Sequence, residues 1–150
     1  MGARPELMSF FHAGKRYAVV HGGATAVNRF IWPTDDEDVF VEEINAVQAA
    51  IGPVDAVVAG HCGMAFRRQV GAVEWINAGV IGLPENNGHA STRYAILVEG
   101  ALHLESLVYD AAAARVAMEA AGLVQGYNAA LTSGYWPSED VLPPPLRASG

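Results

Sequence analysis

The chain contains a single cysteine, Cys62, among its 150 residues. An intramolecular disulfide is therefore impossible, and such usage fits a reducing compartment, so a cytoplasmic location is expected. Basic residues are also scarce. Nine lysines and arginines stand against 16 aspartates and glutamates, giving a formal net charge of −7 and a pI near 5.1. No basic stripe exists to follow a phosphate backbone, and Arg67-Arg68 is an isolated pair, which argues against nucleic acid as a partner. No apolar run approaches the roughly 20 residues of a membrane span, and Met1 to Glu6 lacks the basic-then-apolar order of a secretory signal. No membrane partner is expected.

Apolar residues, by contrast, are plentiful: 51% of the chain is hydrophobic, with a mean hydropathy of +0.19. That is high for a chain with 16 glycines. It implies either a large core or an apolar surface meant for a partner. The length suits one domain over residues 1–150, with no internal repeat and no linker that would divide it.

Residues 1–12 are weakly patterned, although Leu7, Met8, Phe10 and Phe11 are apolar. Arg16 to Val20 reads as a buried strand, followed by an irregular stretch from Gly22 to Pro33. Thr34-Asp35-Asp36-Glu37 has capping-box spacing, and its carboxylates suit the positive end of a helix dipole. Val39, Phe40, Ile44, Val47 and Ile51 then keep helical spacing until Gly52-Pro53 stops the helix. Asp55 to Gly60 is the next strand. From Phe66 the period becomes two, and Gly71-Ala72 and Gly100-Ala101 mark two hairpins. Asp110 caps an alanine-rich helix ended by Gly122, and Leu123 to Thr132 is a further short helix. A proline-rich tail, residues 136–150, is expected to be irregular, and Arg147 to Gly150 loose.

Two of these strands share a feature that carries chemistry. Val19-Val20 delivers His21 into Gly22-Gly23, and Ala56 to Ala59 delivers His61 within Gly60-His61-Cys62-Gly63. Glycines let the backbone turn tightly and approach a ligand, and an imidazole at a strand's carboxyl end is well placed to hold a metal. Each histidine alone is more simply read as one bonded to a backbone carbonyl. Cys62, beside His61, reads as a small buried thiol. A cysteine nucleophile there is disfavoured, because adjacent side chains on a strand exit point apart.

These segments, with Asn77-Ala78-Gly79-Val80-Ile81-Gly82 and Thr92-Arg93-Tyr94-Ala95-Ile96-Leu97, resemble the C-terminal half of calcineurin-like metallophosphoesterases. Order and spacing match over roughly residues 15 to 110. The resemblance implies an α/β fold, part of a layered sandwich: a mixed sheet with two antiparallel hairpins, flanked by helices. It implies that His21 and His61 bind one divalent transition metal (Mn, Zn, Fe or Ni). It places Asn77, Gly79 and Gly82 in the loop beside the active site, and Arg29 is a candidate phosphate clamp. The chain departs from the family at Gly63, where the family's final turn has a second histidine. The family's N-terminal Asp-x-His, Gly-Asp and Gly-Asn-His-Asp motifs are not in this sequence. The expectation is thus a phosphoesterase represented by a C-terminal part, with an incomplete dinuclear site and no catalytic residue assignable. Its substrate would be a phosphate-containing small molecule or a phosphoprotein. Its partner would be a missing N-terminal half or a second copy. The alternative is a non-catalytic module that keeps the fold and binds protein.

Overall fold

The β-branched runs at the sheet's centre become strands in the computed structural model, which describes residues 6–148. The strands are β1 (Leu7–His12), β2 (Lys15–Val20), β3 (Ala56–Ala59), β4 (Ala65–Val70), β5 (Val73–Ala78), β6 (Thr92–Val98) and β7 (Ala101–Leu107). The helices are α1 (Glu37–Ile51), α2 (Ala111–Ala120) and α3 (Tyr127–Ser133), with a 3₁₀ turn at Pro144–Leu146. Five strands form one mixed sheet in the order β1-β2-β3-β5-β4, and β6-β7 form a separate antiparallel pair. The three central strands, β2, β3 and β5, run parallel, and antiparallel β1 and β4 occupy the edges.

Both faces of the central strands are covered, which explains why their runs are apolar without alternation. On one face α1 presents Phe40, Ile44 and Val47 to Ala18, Val20, Val57, Ala59 and Trp75. Phe40 meets Trp75 edge-on, with ring centroids 5.8 Å apart. On the other face Leu102, Ala95, Leu97 and Leu104 of the β6-β7 hairpin pack on Tyr17, Ala56 and Ile76. The hairpin tip is tied to the sheet by the Tyr17 hydroxyl, which donates to the Gly100 carbonyl at 2.8 Å. The layered α/β arrangement agrees with the fold expected from the sequence, and both hairpins form, the second turning at Glu99-Gly100 rather than Gly100-Ala101.

Four local expectations are corrected. Residues 7–12 are an edge strand whose turn at Ala13-Gly14 has positive φ at both positions, 49° and 77°. Their missing alternation reflects exposure on both faces, Phe11 being 74% and Met8 51% exposed. The capping box on Thr34 does not form. The α1 N-cap is Asp36, without a side-chain bond, while Asp35 Oδ2 turns back to accept the Trp32 amide at 2.8 Å. The last helix begins only at Tyr127, after Gly126 adopts φ 89°. The tail is irregular apart from one 3₁₀ turn, as expected, yet it is packed, with Leu142 buried, and within the segment expected to be loose the Ala148 amide donates to Glu139. Residues 1–5 and 149–150, touched by the expectations for both termini, lie outside the described residues.

The irregular stretch after β2 takes its shape from a residue that reads as a surface charge in the sequence. Glu43, on the inner face of α1 beside Phe40 and Val47, is completely buried. Its carboxylate accepts the amides of Ala24 and Thr25, the Thr25 hydroxyl, and Arg29 Nη1 at 2.7 Å. A side chain on Gly23 would strike this carboxylate, its Cβ lying 2.8 Å from Glu43 Oε2. Removing a completely buried carboxylate takes four bonds from the loop at once. Glu43→Ala is therefore expected to lower unfolding free energy by about 3 kcal/mol, read by urea denaturation. A loss no larger than a surface substitution, about 0.5 kcal/mol, would show that the loop does not depend on Glu43.

Candidate metal centre

Because β2, β3 and β5 are parallel, their carboxyl ends open on the same edge of the sheet, where α/β folds gather ligands. His21 follows β2, Gly60 to Gly63 follow β3, and Asn77 lies at the end of β5. The three exits are bonded to one another. The Gly60 amide donates to the His21 carbonyl at 2.9 Å. Asn77, fully buried, donates from Nδ2 to the Gly60 carbonyl at 2.7 Å and to Cys62 Sγ at 3.2 Å. Its Oδ1 accepts the Gly79 amide at 3.0 Å. Asn77 is thus a crosspiece between two loops, satisfied on both sides of its amide.

This bracing brings the two histidines together. His21 Nε2 and His61 Nδ1 are 3.0 Å apart, with ring centroids 4.8 Å apart and the rings inclined by 59°. His61 reaches this position from a left-handed backbone, φ 65°, a conformation in which histidine is enriched among non-glycine residues. Gly22 permits the approach: a Cβ there would lie 2.5 Å from the Arg29 carbonyl and 3.2 Å from His61 Cβ. Phe30 covers one side of His61, with centroids 4.5 Å apart. Burial, and then the neighbouring His21, push the His61 pKa below the usual imidazole value, partly opposed by the Asn28 backbone. His61 therefore stays neutral to lower pH than a free histidine, which is the form that binds metals.

Two nitrogens 3.0 Å apart are at hydrogen-bond distance, and a separation of about 3.3–3.4 Å would place both on one tetrahedral ion with bonds of about 2.0–2.1 Å. The pair are the two imidazoles at this edge that could serve as ligands of a metal. Among the described residues no group of three or more histidine, cysteine or carboxylate side chains converges, so the pair does not by itself complete a centre.

The remaining sequence candidates occupy varied positions. Gly79 has φ 75°, and a Cβ there would sit 2.7 Å from Arg93 Cβ; Gly82 has φ 92° in open space. The Arg29 guanidinium is engaged by Glu42 and Glu43, each at 2.7 Å. Bonding to Glu42 is the main cause that raises its pKa and keeps it charged. Asn86 accepts the Trp136 amide and donates to Glu139. His89 and His103 are exposed. Cys62 is buried, and that burial pushes its thiol up to about 11. Two participants escaped the sequence reading. Glu43 had a signal, since it falls on the apolar stripe of α1 three residues after Phe40. Trp136 had none, because its contact with the turn at Gly63 is remote in sequence.

By sequence, no family model and no curated protein matches this chain. By structure, it is similar to a hypothetical protein from Pyrococcus horikoshii, with TM-score 0.71, 13% identity, and coverage of 87% of this chain and 51% of that one. It is also similar to a metallophosphoesterase from Sphaerobacter thermophilus, with TM-score 0.66, 18% identity, and coverage of 87% of this chain and 58% of that one. The chain thus spans little more than half the length of either structure. Strand order, the helix crossover and the shared carboxyl edge bearing His21 and His61 together give this chain a metallophosphoesterase-like fold.

Proposed function

We propose that the chain supplies two histidine ligands, His21 and His61, of a divalent-metal site that hydrolyses phosphate esters. The 3.0 Å approach of His21 Nε2 and His61 Nδ1 at the carboxyl edge of three parallel strands carries this reading. The likeness to a metallophosphoesterase supports it. A metal held there supplies Lewis acidity toward phosphoryl oxygens and lowers the pKa of bound water. This chain's residues bind and orient. His61 is kept neutral by burial, Asn77 fixes the loop that carries it, and Phe30 screens one side of its ring. The carboxylate ligands needed for two-metal chemistry would come from a further polypeptide segment, and the substrate would be a phosphate ester of a small molecule or a phosphoprotein.

A second reading, a phosphoesterase-fold module that binds protein, is favoured by one observation. Edge strand β1 leaves Met8 51% and Phe10 40% exposed beside unpaired backbone groups. Such an edge templates pairing with another chain. Cysteine chemistry is not part of either reading, because a buried thiol with pKa near 11 is not a nucleophile at neutral pH.

Titration of Zn²⁺ or Mn²⁺ into the wild type is expected to show binding that His21→Ala and His61→Ala each abolish. Equal binding by all three proteins would end the assignment. The 150-residue chain alone is expected to hydrolyse bis-p-nitrophenyl phosphate no faster than buffer. Chelator-sensitive turnover lost in His21→Ala would show that the site is complete without further ligands. Cys62 should resist iodoacetamide at pH 8 in the folded protein and react readily in urea; rapid labelling of the native state would contradict its burial. Light scattering at micromolar concentration is expected to give a mass above 15.8 kDa, and a clean monomer would remove the support for the docking role of β1.

A further inference from the structure

We infer that Trp136 is a positioning residue for the histidine pair, and that packing of the C-terminal segment is thermodynamically linked to metal binding there. The inference rests on the two-histidine reading above. His61 holds a left-handed backbone, φ 65°, and Gly63 another, φ 80°. A side-chain-bearing residue persists in that region only where its surroundings over-determine it. The strand exits and Phe30 hold His61 itself, and the far end of the chain packs on the turn two residues later, at Gly63.

Trp136 lies directly on the turn. A Cβ on Gly63 would be 2.8 Å from Trp136 Cζ2 and 3.2 Å from Cη2, so the indole occupies the space a side chain would need. The indole is fixed at two points. Its Nε1–H donates to the Pro84 carbonyl at 2.6 Å, and its backbone amide donates to Asn86 Oδ1 at 2.8 Å. Asn86 Nδ2 in turn donates to Glu139 Oε1, which also accepts the Ala148 amide. Leu142, fully buried, packs with Cys62, Met64 and Trp32. The C-terminal segment therefore grips the turn at both Cys62 and Gly63.

A second route runs through aromatic rings. Trp136 meets Trp32 at 6.5 Å, Trp32 stacks on Phe30 at 5.2 Å, and Phe30 contacts the His61 ring at 4.5 Å. Trp136 thus packs on the turn two residues after His61 and reaches the His61 ring through Trp32 and Phe30. Without the indole, the turn is free to relax from its left-handed form, and Nδ1 would leave the side of His21 Nε2. Groups behind a metal ligand that orient it commonly change affinity by about 10–100-fold when removed. By linkage, an ion on the pair would tighten the C-terminal segment by the same factor that the segment tightens the ion.

The test measures Zn²⁺ affinity by calorimetry and the visible spectrum of the Co²⁺-loaded protein, in the full chain. Trp136→Ala is expected to weaken Zn²⁺ binding about tenfold or more and to alter the Co²⁺ spectrum. Trp136→Phe, which keeps a ring but loses the Nε1–H bond to Pro84 and the outer indole edge over Gly63, is expected to fall between Trp136→Ala and the wild type. Val47→Ala, in the separate core beneath α1, should lower Tm while leaving both readouts at wild-type values. Should Trp136→Ala fail to fold, Gly63→Ala perturbs the same contact from the opposite side and is expected to act alike. In the wild type, Zn²⁺ should slow hydrogen exchange across residues 134–147. Wild-type affinity and spectrum in both Trp136→Ala and Gly63→Ala would overturn the positioning role. Absence of binding by the wild type, or undiminished binding by His61→Ala, would overturn the two-histidine reading beneath it.

Discussion

The buried amide of Asn77 joins the strand exits from which the candidate site is made. Parallel strands deliver their carboxyl ends to a common edge, but the exits then diverge into loops with few backbone partners of their own. Asn77 uses Nδ2 on the Gly60 carbonyl and Cys62 Sγ, and Oδ1 on the Gly79 amide. Because the group is completely buried, each of these bonds forms without competition from water. A lost partner would be left unsatisfied. The position of His61 follows from that bracing.

Around this crosspiece, charge and aromatic packing hold the two flanking loops. The loop after His21 closes on the carboxylate of Glu43, which gathers two amides, a hydroxyl and a guanidinium inside α1. That closure explains why Arg29, a reasonable phosphate clamp by residue type, faces carboxylates instead. The loop after β3 closes against Trp32, Trp136 and Leu142. The histidine pair therefore sits between a polar brace and an apolar one, and neither brace contributes a metal-binding atom to the pair itself.

The two-layer core carries the same asymmetry at larger scale. Helix α1 covers one face of the five-stranded sheet, while a two-stranded hairpin covers the other. Two strands cannot shield five, and Met8 and Phe10 at the β1 edge stay exposed. The matched region is 51% and 58% of the two similar structures. The apolar-rich composition, puzzling beside a charge of −7, thus has a physical location.

The sequence by itself determined the elements whose cause is local. The strands ending in His21 and His61, the apolar stripe of α1 and the glycine turns of both later hairpins are legible because period and turn chemistry act over a few neighbouring residues. The order of motifs was enough to indicate the fold. It failed where the cause was not local. Residues 7–12 lack alternation because their strand lies at an edge, a fact about neighbours rather than about those residues. The 3.0 Å meeting of the histidines, the burial of Glu43 and the seating of Trp136 on Gly63 were decided only by tertiary structure. Each is a contact between segments far apart in the chain, set by side-chain volume and by the need to pair buried polar groups. No local pattern records those two constraints.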